Sequence, residues 1–296
     1  MQNREIMPES TRTMAFRDLP GKQENGSASI GNGKPPAAPV SSPGRGPGRG
    51  AAASLKRFLS PLLVLVLWEL VCRLGWIEPQ LLPAPSSVMG RLVEAASGAE
   101  FWHDFGITLY RLVLSLCIAI VLGVVLGLTA QLSRLSAAML DAFVRLIAPI
   151  PKIALYPALI LILGFENSSK VALVVADATF PVLMATWAAA RSVDQKLIWS
   201  ARAAGTSRAN CLWKVTFPAI VPTVLAGVRV SGVIACVVVF LAEMIASTDG
   251  LGHMLTVAAR AYKTVDMFVP LVWICAVGLG LNALIGYVQR KLDHGG

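Results

Sequence analysis

Residues 193–227 read VDQKLIWSARAAGTSRANCLWKVTFPAIVPTVLAG, a polar and basic stretch that gives way near Phe217 to a long apolar run. Asp194 stands where a carboxylate favours the positive end of a helix dipole. Residues 196–204 have helical spacing, with Leu197, Ile198, Ala201 and Ala204 on one side. Gly205 suits the left-handed conformation that closes a helix, and Thr206 or Ser207 suits the cap of the next. A second short helix is expected over residues 208–215. Pro218 then begins the following helix, where a missing N–H does no harm. The stretch predicts a rigid helix-turn-helix elbow, which a mere tether would not need.

On either side of the elbow the chain is built for a bilayer. It has 296 residues, 55% of them hydrophobic and 15% charged, against about 25% charged in ordinary soluble domains. A helix needs about 20 residues to cross a hydrocarbon core of about 30 Å. Apolar runs of that order are expected as spans over residues 58–77, 106–130, 138–164, 169–190, 219–246 and 267–288. Pro149, Pro151 and Pro157 should kink or break the third. Residues 78–105 connect the first two spans, and within them residues 86–96 read as a short helix at the membrane surface. The fold class is thus an all-α, polytopic membrane protein of about six helices.

The formal net charge is +9, yet the basic residues do not gather on a soluble domain, so nucleic acid is not an expected partner. They recur through the N-terminal segment up to Lys56-Arg57, in the elbow loop over 191–217, and in the tail beginning Arg290-Lys291. Six spans put these three regions on one side, and the positive-inside rule makes that side the cytoplasm, with both termini there. Residues 1–55 are rich in Gly, Pro, Ser and Ala and are expected to be a disordered cytoplasmic tail, with the membrane domain over 56–296. No small-residue cleavage site follows the first apolar run, so a signal peptide is not expected.

The elbow resembles the coupling motif of binding-protein-dependent importer permeases, commonly written E-A-A-x3-G-x9-I-x-L-P. Ala201, Gly205 and Pro218 match it, and Val215 and Phe217 are apolar replacements at the right spacing. Trp199 stands where Glu is usual and Ser200 where the first Ala is usual, which removes one charge from the contact and offers an aromatic anchor instead. Leu82-Pro83-Ala84-Pro85-Ser86, residues 148–154 (APIPKIA), Arg191-Ser192-Val193-Asp194, Ala242-Glu243-Met244-Ile245 and Gly250-Leu251-Gly252 resemble the nitrate, sulfonate, taurine and bicarbonate branch.

The resemblance implies a type I importer, MetI-like permease core in the bacterial cytoplasmic (inner) membrane. It also implies a second copy of the permease, two ABC ATPase subunits and a periplasmic or lipid-anchored substrate-binding protein. ATP and Mg would be bound by the partner ATPase and no cofactor by this chain. The coupling residues it implies are Trp199, Ser200, Ala201, Arg202, Ala204, Gly205, Arg208 and Pro218, and the cargo is a small solute of anionic type.

Candidates for a translocation path are Pro149, Pro151, Lys152, Tyr156, Asp177, Glu243 and Met244. Asp177 and Glu243 are acids inside expected spans, where a charge must be paired or face water. They either line the path or make a helix-to-helix hydrogen bond. Lys152 either snorkels to the cytoplasmic interface or offers its charge to an anionic substrate. Gly123 and Gly127 form a GxxxG expected to serve packing within the chain.

Other classes find little support in the residues. No Gly-x4-Gly-Lys-Ser/Thr phosphate loop occurs, so ATP hydrolysis by this chain is not expected. The five cysteines form no CxxC pair, and His103, His253 and His294 have no second ligand at helical spacing, so neither a metal site nor an intramembrane enzyme is expected. A secondary transporter or channel is the alternative, but such folds do not require a capped cytoplasmic elbow, and no internal repeat is evident.

Overall fold

The computed structural model describes residues 49–78 and 80–293; the expected tail, up to residue 48, lies outside them. Among the described residues every regular element is helical. In chain order these are α1 (Arg49–Arg73), α2 (Pro85–Ala96), α3 (Ala99–Thr129), α4 (Arg134–Ile147), a 3₁₀ turn (Lys152–Leu155), α5 (Tyr156–Leu163) and α6 (Asn167–Ser192). There follow α7 (Gln195–Ala203), α8 (Arg208–Cys211), a π turn (Leu212–Thr216), α9 (Phe217–Ala246), α10 (Leu251–Arg260) and α11 (Thr264–Asp293).

Among the described residues four helices are long and apolar enough to cross a membrane: α3, α6, α11 and the continuous 209–246 stretch that contains α9. A fifth crossing is formed if α4 and the helical stretch Lys152–Leu163 count as one broken span, bent by 83°. The break lies where expected, because Pro149 and Pro151 each lack the N–H that would continue the ladder. The expected count of six is not reached among the described residues. α1 takes the place of the first expected span but stops at Arg73 and is not one of these five.

The centre of the fold is a three-helix layer of α3, α6 and α9, held close by small residues. A Cβ added at Gly123 would lie 2.7 Å from Cβ of Val182, and one at Gly127 would lie 2.7 Å from Cβ of Thr186. One at Gly227 would lie 2.5 Å from Cβ of Ala185. In hydrocarbon no hydrophobic force drives helices together, so close backbone approach and dispersion must hold them. Buried Ala119, Val174, Ala178, Ala235, Val239 and Ala242 fill the same seam. The expected GxxxG contact is therefore the seam between α3 and α6.

At one end of this layer Phe101, Trp102, Phe105 and Trp273 form a ring cluster with centroids 5.3–5.8 Å from Trp273. α10 packs there, burying Leu251, Leu255 and Ala258. Arg91 of α2 is tied to Asp266 of α11 at 2.5 Å. The α2 surface helix falls on residues 85–96, as its spacing predicts.

Candidate functional site

The elbow is assembled from local capping chemistry. The Asp194 carboxylate accepts from the Lys196 N–H at 2.9 Å and caps α7. At the other end Gly205 has φ 84, and the Thr206 N–H donates to the Ala201 carbonyl at 3.1 Å. That is the six-to-one bond of a Schellman closure, which a left-handed residue makes possible. The Ser207 hydroxyl then accepts from the Asn210 N–H at 3.3 Å to start α8. Trp199, Ser200, Ala201 and Arg202 lie on α7, with Ala204 and Gly205 closing it. Pro218 is in the first turn of α9; Arg208 opens α8, and its side chain lies outside the described residues.

One expectation is corrected here. The second short helix does not stand apart from the following span, because α8 runs through the π turn 212–216 directly into α9. Pro218 would normally clash with the carbonyl four residues back. A π turn advances the pairing by one residue, so the proline is accommodated without a break.

α7 buries none of its residues fully. Trp199 is 64% exposed, Leu197 52% and Trp213 52%, and Lys196, Arg202 and Lys214 are exposed around them. The elbow thus exposes large apolar side chains interspersed with basic ones. Exposed aromatics of this kind are the type of side chain that anchors association.

A second constellation lies at the far end of the three-helix layer. Arg111 of α3 and Glu243 of α9 are fully buried and paired at 2.8 Å. Glu243 also accepts from the Thr108 hydroxyl at 2.9 Å and the Gly252 N–H at 3.0 Å. Arg111 donates further to Asn167 Oδ1 at 2.7 Å and pairs with Asp249. Burial pushes the Asp249 carboxyl up, but the hydrogen bonds from Arg111 and Ser247 and the positive field of Arg111 and Lys170 outweigh it. The net effect holds the carboxyl below its usual range. Lys170 is buried beside this cluster and donates to the carbonyls of Phe165 at 2.5 Å and Glu166 at 3.2 Å. A cavity of about 570 Å³ opens between Arg111, Asn167, Lys170, Ser247 and Asp249.

The other path candidates separate into two places. Lys152, at the helix break, pairs with Asp177 of α6 at 3.3 Å and lies 4.4 Å above the Phe180 ring. Pro149 and Pro151 flank this break and are exposed. Tyr156 is fully buried and donates to the Ala246 carbonyl at 3.3 Å, close to the Glu243 end of α9. Met244 is half-buried against the aromatic cluster. Glu243 and Asp177 are therefore not brought together; each has its own base.

Arg111, Lys170, Thr108 and Asn167 are not singled out by the sequence reasoning. Arg111 and Lys170 nonetheless lie inside expected spans, where a buried base is as costly as a buried acid. Matching the intramembrane acids against intramembrane bases is the signal that finds them.

A family profile described as "Binding-protein-dependent transport system inner membrane component" matches residues 119–295. The chain is 30% identical over 239 residues to the taurine transport system permease protein TauC of Escherichia coli (strain K12), covering 78% of this chain and 87% of that protein. It is 29% identical over 238 residues to an aliphatic sulfonates transport permease protein, SsuC of Bacillus subtilis (strain 168), covering 80% and 86%. Among solved structures, inward-facing MetNI methionine ABC transporter structures share the fold, with TM-score 0.51 and 18% identity over 64% of this chain and 93% of that one. With more than half of its length matched to one profile, this multi-pass helical chain belongs to the family of binding-protein-dependent transport system inner membrane components.

Proposed function

We propose that the chain is the membrane-spanning subunit of an ATP-driven importer that brings a small sulfonate or related anion into the cytoplasm. The observation that carries this is the elbow itself, a Schellman-closed, N-capped pair of turns placed between two packed membrane helices. In this reading two separate ATPase subunits bind ATP and Mg and grip α7 and α8, and this chain binds no nucleotide. A second copy of the chain completes the pore, and a binding protein delivers cargo to the side opposite the elbow. The termini and the elbow are cytoplasmic.

The geometry supports a direct transmission. Only Val193 and Asp194 separate α6 from α7, and α8 continues into α9. A push on the elbow is thus delivered to α6 and α9 together. Glycine contacts lock α6 to α3 and α9 to α6, and the Arg111–Glu243 pair ties α3 to the far end of α9. The layer therefore tilts as one piece. Trp199 replaces the acid usual in the coupling motif, so its docking rests on aromatic burial in an apolar groove rather than on an ion pair. Lys152 and Asp177, beside the proline break, line the path, and an incoming sulfonate competes with the Asp177 carboxylate for the Lys152 ammonium. The names of the relatives, for taurine and aliphatic sulfonates, favour that cargo.

The test is reconstitution of the chain with its ATPase and binding protein in proteoliposomes, following uptake of labelled taurine. Uptake should require ATP and should be lost when Trp199→Ala removes the aromatic anchor. Uptake without any ATPase subunit would overturn the reading.

A further inference from the structure

α9 and α11 run antiparallel, in a register set by small residues. A Cβ added at Gly232 would lie 3.0 Å from Cδ2 of Leu281, and one at Gly278 would lie 3.8 Å from Cys236 Sγ. A cavity of about 830 Å³ follows this seam. Buried Phe240 and Ile274 line it together with exposed Val233, Val237, Leu241 and Leu279. No carboxylate lines it, and its strongly polar side chains are Arg229 and Asn282. Both stand at the end nearer the elbow, because Arg229 is the first wall residue of α9 and Asn282 the last of α11.

The depth of Arg229 follows from its neighbours. Gly227, half a turn away, packs on Ala185 of α6, about 10 Å before that helix ends at Ser192. Helical side chains lean toward the N-terminus of their own helix, which for α9 is the elbow end. The guanidinium accordingly rests on the α11 backbone, with Nη2 in the space a Gly286 Cβ would take, close to the end of α11 at Asp293. The cation thus snorkels toward the elbow-side interface. From it the apolar groove runs toward the opposite side, from Arg229 to Leu241, for about 18 Å at 1.5 Å per residue. One leaflet supplies about 15 Å of hydrocarbon, half of a core of about 30 Å.

Arg73, Arg91, Arg111 and Arg145 each hold a carboxylate. Arg229 is exposed and, among the described residues, has no ion-pair or hydrogen-bond partner; nor has the half-buried Asn282 amide. A cation left alone against hydrocarbon is costly, so whatever covers this groove must bring an anion. A second copy's spans have none to spare: Asp141, Asp177 and Glu243, the acids inside α4, α6 and α9, already hold bases. A phospholipid brings both the anion and the apolar chain.

We infer that the groove between α9 and α11 binds one anionic phospholipid of the elbow-side leaflet, its phosphate on Arg229 and the Asn282 amide and one acyl chain along the apolar walls. The guanidinium takes phosphate oxygens in a planar fork, and the Asn282 NH₂ adds a donor. Basic pockets between membrane helices are where anionic headgroups gather. The bound lipid joins α9 to α11 and stabilises the fold by mass action. This binding does not depend on the coupling role proposed above.

The experiment adds dioleoyl phosphatidylglycerol, or phosphatidylcholine with the same chains, to the purified full chain in lipid-free maltoside micelles and counts retained lipids by native mass spectrometry. One phosphatidylglycerol should be retained per chain, at least about tenfold more tightly than phosphatidylcholine, the worth of a charge-assisted hydrogen bond. Arg229→Gln should erase that preference and Arg229→Lys should keep part of it. Val233→Trp, which fills the groove and leaves the charge, should weaken retention of both lipids at least about tenfold, as losing the burial of a few methylenes would. Both positions are exposed, so without lipid the variants should keep the parent's thermal midpoint. Added phosphatidylglycerol should raise that midpoint in the parent but not in Arg229→Gln. The parent's choice between the two lipids tests the site without any variant, and equal retention overturns it, as does Arg229→Gln binding phosphatidylglycerol as the parent does. Glycerol phosphate, a headgroup without chains, should not displace the lipid; displacement would mark a site for soluble anions and overturn the proposal. No retained lipid, with a dimer that Val233→Trp dissociates, would give the groove to a second copy and overturn it too.

Discussion

Replacing Gly205 separates backbone conformation from steric fit more cleanly than any other change in the elbow. Its φ is 84, and a Cβ added there meets nothing within 4 Å. An alanine therefore fits in space, and its whole cost is the left-handed conformation, about 1–2 kcal/mol. At about 1.4 kcal/mol per tenfold, the closed elbow loses roughly five- to thirtyfold in population relative to frayed alternatives. Asparagine tolerates this region better and should cost less. Proline cannot reach it, since its ring fixes φ near −65°, and it also deletes the N–H that donates to Arg202 at 3.0 Å. Elbow function should fall in the order Gly, Asn, Ala, Pro, while all four proteins insert equally, because the packed layer is untouched. ATP-dependent uptake in proteoliposomes, normalised to membrane-inserted protein, measures the order. Wild-type uptake by Gly205→Pro would refute the reasoning, as would equal losses for Asn and Ala.

Other changes test the interior. Arg111→Leu strands Glu243 in the core and should destabilise the chain by about 3–5 kcal/mol, read as loss of thermal stability in detergent; adding Glu243→Leu should restore part of it. Gly227→Val forces α9 from Ala185 and Pro181 and should cost at least about 1–3 kcal/mol by the same assay. The depressed Asp249 carboxyl contributes stability that is fully present above the unfolded value of about 3.9 and is lost as pH falls through the folded value; Asp249→Asn should flatten that acid limb in a thermal-midpoint-against-pH profile. Lys152→Gln should slow sulfonate uptake at least about tenfold, and Asp177→Asn, which frees Lys152, should raise apparent affinity for the anion; identical losses in both would assign the pair to packing alone.

What the sequence makes legible is the chemistry that acts within a few residues. Asp194, Gly205 and Ser207 announce the elbow because each satisfies or closes its own turn, and Pro149 and Pro151 announce the break for the same reason. The joining of α8 to α9 was hidden, because a π turn is a choice of the whole ladder and Pro218 alone reads as a start. α10 escaped for a different reason: Leu251, Leu255 and Ala258 carry the period, but ten residues fall far below a crossing length. The pairing of Arg111 with Glu243 joins residues 132 apart. Each charge was visible, whereas their meeting depends on the register of α3 against α9, which Gly123 and Gly127 against α6 and Gly227 set through space.

The unbroken run from Ala209 to Ala246 comprises 38 residues, about 57 Å at 1.5 Å per residue. Along such a rod, direction is encoded by counting. One inserted residue turns everything beyond it by about 100°, so an insertion anywhere between Phe217 and Glu243 would swing that carboxylate off Arg111 and into the surrounding hydrocarbon. Length polymorphism should therefore be absent from this segment and confined to the loops, where a gained or dropped residue leaves the angular bearing of the acid unchanged.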